Sequence, residues 1–142
     1  MRKLLIALAF SSTPAIAATD IVMHRDPGCG CCEAWAAQVT KQFERAVKII
    51  DTANRRGIQK AAGMPDGLAS CHTALIGGMA FEGHVPIADM KRALAERPAG
   101  VKGLAVPGMP IGSTGMEVPG RSADHYDVIA FGGGKAAVFA RH

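Results

Sequence analysis

The 142-residue chain has few aromatic side chains, with five Phe, one Trp and one Tyr. Its core must therefore rest on Val, Ile, Leu, Met and Ala. It also lacks a dominant charge: 16 Lys and Arg stand against 12 Asp and Glu, a formal net charge of +4. Two of the basic residues, Arg2 and Lys3, fall in a segment expected to be removed, which leaves 14 against 12. So small an excess is no electrostatic footprint for nucleic acid, which needs Lys and Arg clustered on one face. The apolar run Leu4 to Phe10 is too short to cross a bilayer. There is no internal repeat, no coiled-coil heptad and no low-complexity tract. Four cysteines are too few for a disulfide-stapled miniprotein. What is there, 49% apolar and 20% charged residues, is the composition of one folded domain and not of a disordered chain.

The first residues carry an export pattern. Met1-Arg2-Lys3 is a basic start, Leu4 to Phe10 is apolar, and Pro14-Ala15-Ile16-Ala17 fits the small-x-small rule for signal peptidase. Residues 1–17 are expected to be a signal peptide and residues 18–142 the single mature domain. No cysteine follows the cleavage site to take a lipid. The mature chain is expected to be periplasmic and free of the membrane, with all four cysteines in an oxidising compartment.

The periodicity predicts an α/β domain. Asp20 to His24 reads as a strand, Cys31 to Phe43 as a helix with Trp35, Val39 and Phe43 on one face, and Ala46 to Ile50 as a second strand. Thr52 is placed as the cap of a weak helix to about Ala62, interrupted by Gly57. Thr73 to Ile76 and Met79 to Val85 read as a hairpin around Gly77-Gly78, and Pro86 opens a helix over Ile87 to Glu96. The order β-α-β-α-β-β-α is that of a thioredoxin-like domain. Pro98 to Gly120, with ten Gly or Pro in 23 residues, reads as a long structureless loop that packs over the domain. Tyr126 to Phe131 and Lys135 to Ala140 close the chain as a hairpin.

Two short stretches carry the chemistry. Gly28-Cys29-Gly30-Cys31-Cys32 sits between a strand end and a helix start, where unpaired N–H groups and the helix dipole favour thiolate. A thiolate is both the better nucleophile and the form that binds metal. Ser70-Cys71-His72-Thr73 precedes the third strand, and the expected fold sets it opposite the first helix. Thioredoxin-type oxidoreductases hold a cis-proline there. The fold is thus expected to gather Cys29, Cys31, Cys32, Cys71 and His72, a soft donor set that suits Cu(I) or Zn(II) and can bridge several Cu(I) ions.

Other readings compete with this metal–thiolate site. The four cysteines could make two structural disulfides, although the vicinal Cys31 and Cys32 staple poorly. Cys29 and Cys32 could also be a metal-free redox pair. His24 reads as an idle residue near the site, and His84 as a turn or helix-start residue. Met109 and Met116 read as gap-filling core, and Trp35 as core. His125 and His142 are assigned no role.

The motifs resemble those of the CopG-type copper-resistance proteins of bacterial periplasms. The matching blocks are Asp26-Pro27-Gly28-Cys29-Gly30-Cys31-Cys32 with Trp35, Ser70-Cys71-His72-Thr73-Ala74, Glu82-Gly83-His84-Val85-Pro86, Gly103 to Pro110 (GLAVPGMP) and Gly115-Met116-Glu117. They run in order through most of the mature chain. The resemblance implies a thioredoxin-like fold, with Cys29, Cys31, Cys32 and Cys71 as thiolate ligands of copper and His72 as a nitrogen ligand. It also implies a place in copper or heavy-metal resistance and a redox role toward copper. The expected function is periplasmic Cu(I) binding, with zinc as a substitute metal. Copper ions and other periplasmic copper-handling proteins are the expected partners. Thiol–disulfide oxidoreduction through Cys29 and Cys32, or copper delivery by a metallochaperone, are the alternatives.

Overall fold

A computed structural model describes residues 20–142. The expected signal peptide, residues 1–17, lies outside the described residues. Seven strands form one sheet in the order β2-β1-β3-β4-β5-β6-β7. They are β1 (Ile21–Arg25), β2 (Val47–Asp51), β3 (His72–Ile76), β4 (Met79–Glu82), β5 (Gly103–Ala105), β6 (Asp127–Gly132) and β7 (Lys135–Arg141). The helices are α1 (Gly30–Phe43), α2 (Arg55–Ala61) and α3 (Ile87–Glu96). The first seven elements keep the expected order β-α-β-α-β-β-α, and three strands extend it.

The pattern of burial explains the layering. Cys32, Trp35, Ala36 and Val39 recur at helical spacing on α1 and are buried. With Met90 and Ala93 of α3 they join Met23, Ala74, Phe81 and Leu104 of the sheet in one core. The strand neighbours Ala80 and Ala105 point the other way, and with Phe131 they meet Ala62, Met64 and Leu68. The sheet therefore has α1 and α3 on one side and the α2 segment on the other. Trp35 is fully buried, as expected, and its Nε1 donates to the Val85 carbonyl at 3.2 Å.

Two local expectations are corrected. The cap of α2 is Asn54, not Thr52: Asn54 Oδ1 accepts from the Gly57 amide at 3.2 Å. A Cβ at position 57 would stand 2.7 Å from that oxygen, so the glycine that weakens the helical pattern also makes room for its cap. The segment 98–120 is not wholly structureless. Gly103–Ala105 pairs parallel to β4 and antiparallel to β6, which joins the terminal hairpin to the sheet. Composition hides this strand because it is three residues long and begins with glycine. The rest of the segment packs over the domain as expected, and a Cβ at Gly115 would lie 2.6 Å from the Trp35 amide nitrogen.

Candidate metal centre

The parallel and antiparallel partners of β1 bring the two cysteine stretches together. Arg25, at the end of β1, lies opposite His72 of β3 and Asp51 of β2. Its guanidinium donates to Asp51 at 2.7 Å, to Glu33 at 2.8 Å and to the Cys29 carbonyl at 3.0 Å. These bonds hold the start of α1 against the sheet edge. The Asp26 amide donates to the Cys71 carbonyl and ties the following turn to the second stretch.

Cys29 is the residue capping α1, and it is joined to Cys32 in a disulfide. Cys32 is fully buried, while Cys29 remains half-exposed. Cys31 and Cys71 are free, and Cys31 Sγ is 3.5 Å from Cys29 Sγ. The four sulfurs of Cys29, Cys31, Cys32 and Cys71 all lie within 4.8 Å of one another. Of the two disulfides weighed as structural staples, one is present among the described residues.

His84 is the residue that sequence reasoning misplaced. It is fully buried, and its Nε2 stands 3.1 Å from Cys71 Sγ. Its Nδ1 is 2.8 Å from the Thr114 carbonyl, which can only accept, so Nδ1 carries the proton and Nε2 offers its lone pair to the sulfur. The signal was present in Glu82-Gly83-His84. That block starts at the last residue of β4, the hairpin partner of the strand that begins at His72, so the hairpin register returns it to the cysteine. His72 is also fully buried, with Nδ1 3.5 Å from Cys71 Sγ and no hydrogen-bond partner at Nε2. Its ring packs on Trp35 at 4.5 Å and edge-on to His84 at 5.2 Å. Cys71, His72 and His84 form a second group of donor atoms within 4.8 Å, and Cys71 belongs to both groups.

Burial sets the protonation of this second group. It raises the Cys71 thiol to about 11, reinforced by Cys31, so the sulfur holds its proton at neutral pH. Burial lowers His72 to about 3, with His84 and Arg55 adding to the effect, and it lowers His84 as well. The imidazoles are thus neutral, the form that binds metal. Behind them Glu82 is fully buried. It accepts from the Ser70 amide at 2.7 Å, from Gln59 at 2.8 Å and from the Thr73 hydroxyl, with Arg55 at 3.6 Å. Desolvation raises its pKa against those bonds. The carboxylate fixes the backbone on which Cys71 stands.

Loop 98–120 completes the surround. Ser70 Oγ donates to the Gly108 carbonyl, and His84 to that of Thr114. Met109 is 54% exposed, not core, and Met116 is half-buried. His24 and His125 belong to neither donor group, and His142 instead meets Asp89 at 2.7 Å. Sulfur and neutral imidazole crowded around one thiol make a donor set for soft or borderline metals, as the sequence suggested.

Two solved structures share this architecture. The copper resistance protein copG, form 1, matches with a TM-score of 0.78 and 37% identity, over 88% of this chain and 98% of that one. The chain belongs to the copG copper-resistance family. Form 2 of the same protein matches with a TM-score of 0.76 and 38% identity, over 87% of this chain and 97% of that one. Residues 68–116 of this copG-family chain also match the family described as "Protein of unknown function, DUF411". That stretch spans Cys71, His72, Glu82 and His84 but not the CxCC segment. None of the curated proteins matches the chain. Among the described residues no helix is long and apolar enough to cross a membrane.

Proposed function

We propose that this copG-family chain is a periplasmic copper-binding protein of copper resistance. It holds Cu(I) through Cys29, Cys31, Cys32 and Cys71 and through His72, with His84 added to that set. Residues 1–17 act as the export signal, and residues 18–142 are one thioredoxin-like metal-binding domain. The observation that carries the reading is the double membership of Cys71, whose sulfur lies within reach of three other sulfurs and of two buried, neutral imidazoles. Clustered thiolates around such a sulfur suit a multinuclear Cu(I) site, and zinc can occupy the same donors. Copper occupancy is coupled to oxidation state, because two of the sulfurs are donors only when their disulfide is open. Binding displaces the Cys71 proton, so affinity falls in acid. The test is an anaerobic Cu(I) titration of the fully reduced chain against a competing chelator. Tight uptake of more than one copper per chain, lost in Cys71→Ser, is expected. Weak or absent uptake by the reduced wild-type chain would sink the reading.

One observation favours a second reading, a thiol–disulfide oxidoreductase. In the Cys29–Cys32 disulfide only Cys29 is open to an incoming thiolate, because Cys32 is fully buried. That reading requires catalysed reduction of a protein disulfide that survives both Cys71→Ser and His72→Gln. Against it, Cys71 and His72 occupy the place where such enzymes carry a proline.

A further inference from the structure

Between α1 and α3 lies a cleft of about 650 Å³, walled by Gln38, Lys41 and Gln42 of α1 and by Ile87 and Lys91 of α3, with Thr114 beside them. Positions 38, 41 and 42 share one face of α1, and positions 87 and 91 share one face of α3. Every lining residue is half-buried or exposed, so this is an open groove and not a pocket that encloses a small molecule. Its charge is of one sign. Lys41 and Lys91 are both exposed, no acidic residue lines the groove, and among the described residues neither lysine is paired with a carboxylate. Glu117, bonded to Gln38, already accepts from that amide at 3.0 Å and from the Gly115 amide at 2.9 Å. Lys91 Nζ stands 5.5 Å over the ring of Phe43, the last residue of α1, which keeps its charge at the groove. Pro86, Ile87 and Ala88 add apolar surface to the same groove. Apolar surface flanked by unpaired lysines on two walls complements a helix that carries carboxylates beside an apolar stripe. Two lysines are too few for an anionic membrane surface, which takes clusters of about four to eight.

We infer that the α1–α3 cleft is a docking groove for an acidic amphipathic helix of a partner protein. The apolar side chains of that helix pack on Pro86 and Ile87, and its carboxylates meet Lys41 from one wall and Lys91 from the other. Thr114 lines the groove, and its carbonyl is the group that accepts from His84 Nδ1 at 2.8 Å. Pro86 and Ile87 follow His84 closely in the chain. A helix seated here is therefore held against the segments that orient His84. The groove uses none of the proposed copper ligands, so the docking goes beyond the copper reading and does not depend on it.

The test titrates the isotope-labelled, metal-free chain with a synthetic helical peptide of about 14 residues, with Leu at every third or fourth position and Glu beside them. A twin peptide carries Gln in place of every Glu. NMR is expected to show saturable binding of the acidic peptide, with the shifted amides confined to the second half of α1, the start of α3 and Thr114. The Gln twin should bind at least about 10-fold more weakly, and so should the acidic peptide to a Lys41→Glu, Lys91→Glu double variant. Both lysines are exposed, so the double variant keeps its fold, which urea unfolding checks. Added salt should weaken the complex. No saturable shift, shifts centred elsewhere, or equal binding by the Gln twin or by the double variant would overturn the groove. A concentration-dependent dimer that shifts the same amides without peptide would also overturn it, by making a second copy the occupant. So would lysine-dependent capture by vesicles of anionic phospholipid that the peptide does not displace, which would make this a lipid face. None of these results touches the Cu(I) titration, which judges the copper reading separately.

Discussion

The two cysteine stretches meet at one place but are built differently. The CxCC segment caps α1, is partly open to solvent, and is fastened from outside by the Arg25 guanidinium. His72 and His84 are buried, Cys71 beside them is half-buried, and this half is fastened from within, by Glu82 beneath and by the Thr114 carbonyl beyond. The open segment can change its covalent state at Cys29, its solvent-facing sulfur, while Cys32 stays anchored in the core. The buried one is fixed before any metal arrives, because its imidazoles are held neutral and its backbone is bonded to a buried carboxylate. A changeable half set against a pre-organised half is what a site needs if it is to vary its capacity and keep its position.

The strongest way to break this comparison is to remove the atom that both halves share. Cys71→Ser is expected to lower the copper affinity of the reduced chain by more than about 100-fold, since loss of a ligand should exceed the 10–100-fold cost of losing an outer partner. Cys29→Ser should remove part of the stoichiometry and leave a tightly bound ion. Chelator competition on the two variants separates them, and equal losses would mean that the halves are not distinct.

The next largest effect concerns the support beneath the buried half. Glu82→Ala strands the Ser70 amide, the Thr73 hydroxyl and the Gln59 amide, and it leaves Asp26 as the acidic partner of Arg55. A loss of about 2–4 kcal/mol in unfolding free energy is expected from the unsatisfied buried donors. Urea unfolding measures it, and a change under about 0.5 kcal/mol, typical of a surface site, would contradict the role given to this carboxylate.

Gly115→Ala tests the covering loop. Position 115 has φ +82°, and the added Cβ would meet the Trp35 backbone at 2.6 Å. A destabilisation of about 1–3 kcal/mol is expected, together with weaker copper binding as the Thr114 carbonyl shifts from His84. Thermal unfolding and a copper titration of the same sample report the two effects together.

The smallest effect is pH dependence in the metal-free chain. His72 and His84 have folded pKa values below their unfolded 6.5, His72 at about 3. Their contribution to stability is complete above pH 6.5 and declines as the pH falls, because only the unfolded chain then takes up the protons. Glu82 acts the other way: its raised pKa lets the folded chain take up the proton first, which favours the fold as the pH falls from that raised value to the unfolded 4.5. The difference between the wild type and a variant lacking both rings therefore isolates the histidines across the window from pH 6.5 to 5. The urea midpoint should fall across it, and this fall should vanish in a His72→Gln, His84→Gln double variant.

Much of this was legible in the sequence because it is local. The α1 face shows as Trp35 and Val39 at helical spacing, the β3–β4 hairpin as two apolar runs around Gly77-Gly78, and the thiols by their residue type. The strand β5 was not legible. Three residues opening with glycine give no period, and they become a strand only because β4 and β6 stand on either side. His84 was missed for a related reason. A histidine beside Gly83 and before Pro86 has the local pattern of a turn, and only the β3–β4 register returns it to Cys71.

By itself the sequence determined the donor chemistry: four thiols, with histidines beside them, in short Gly-flanked stretches at the ends of expected elements. Tertiary structure alone decided how those donors divide. Burial sets which sulfur an outside thiol can reach and which imidazoles stay neutral, and burial follows from the packing of distant segments rather than from any local pattern. The same packing made Cys71 common to both donor groups, because β1 pairs with β3 and β3 with β4.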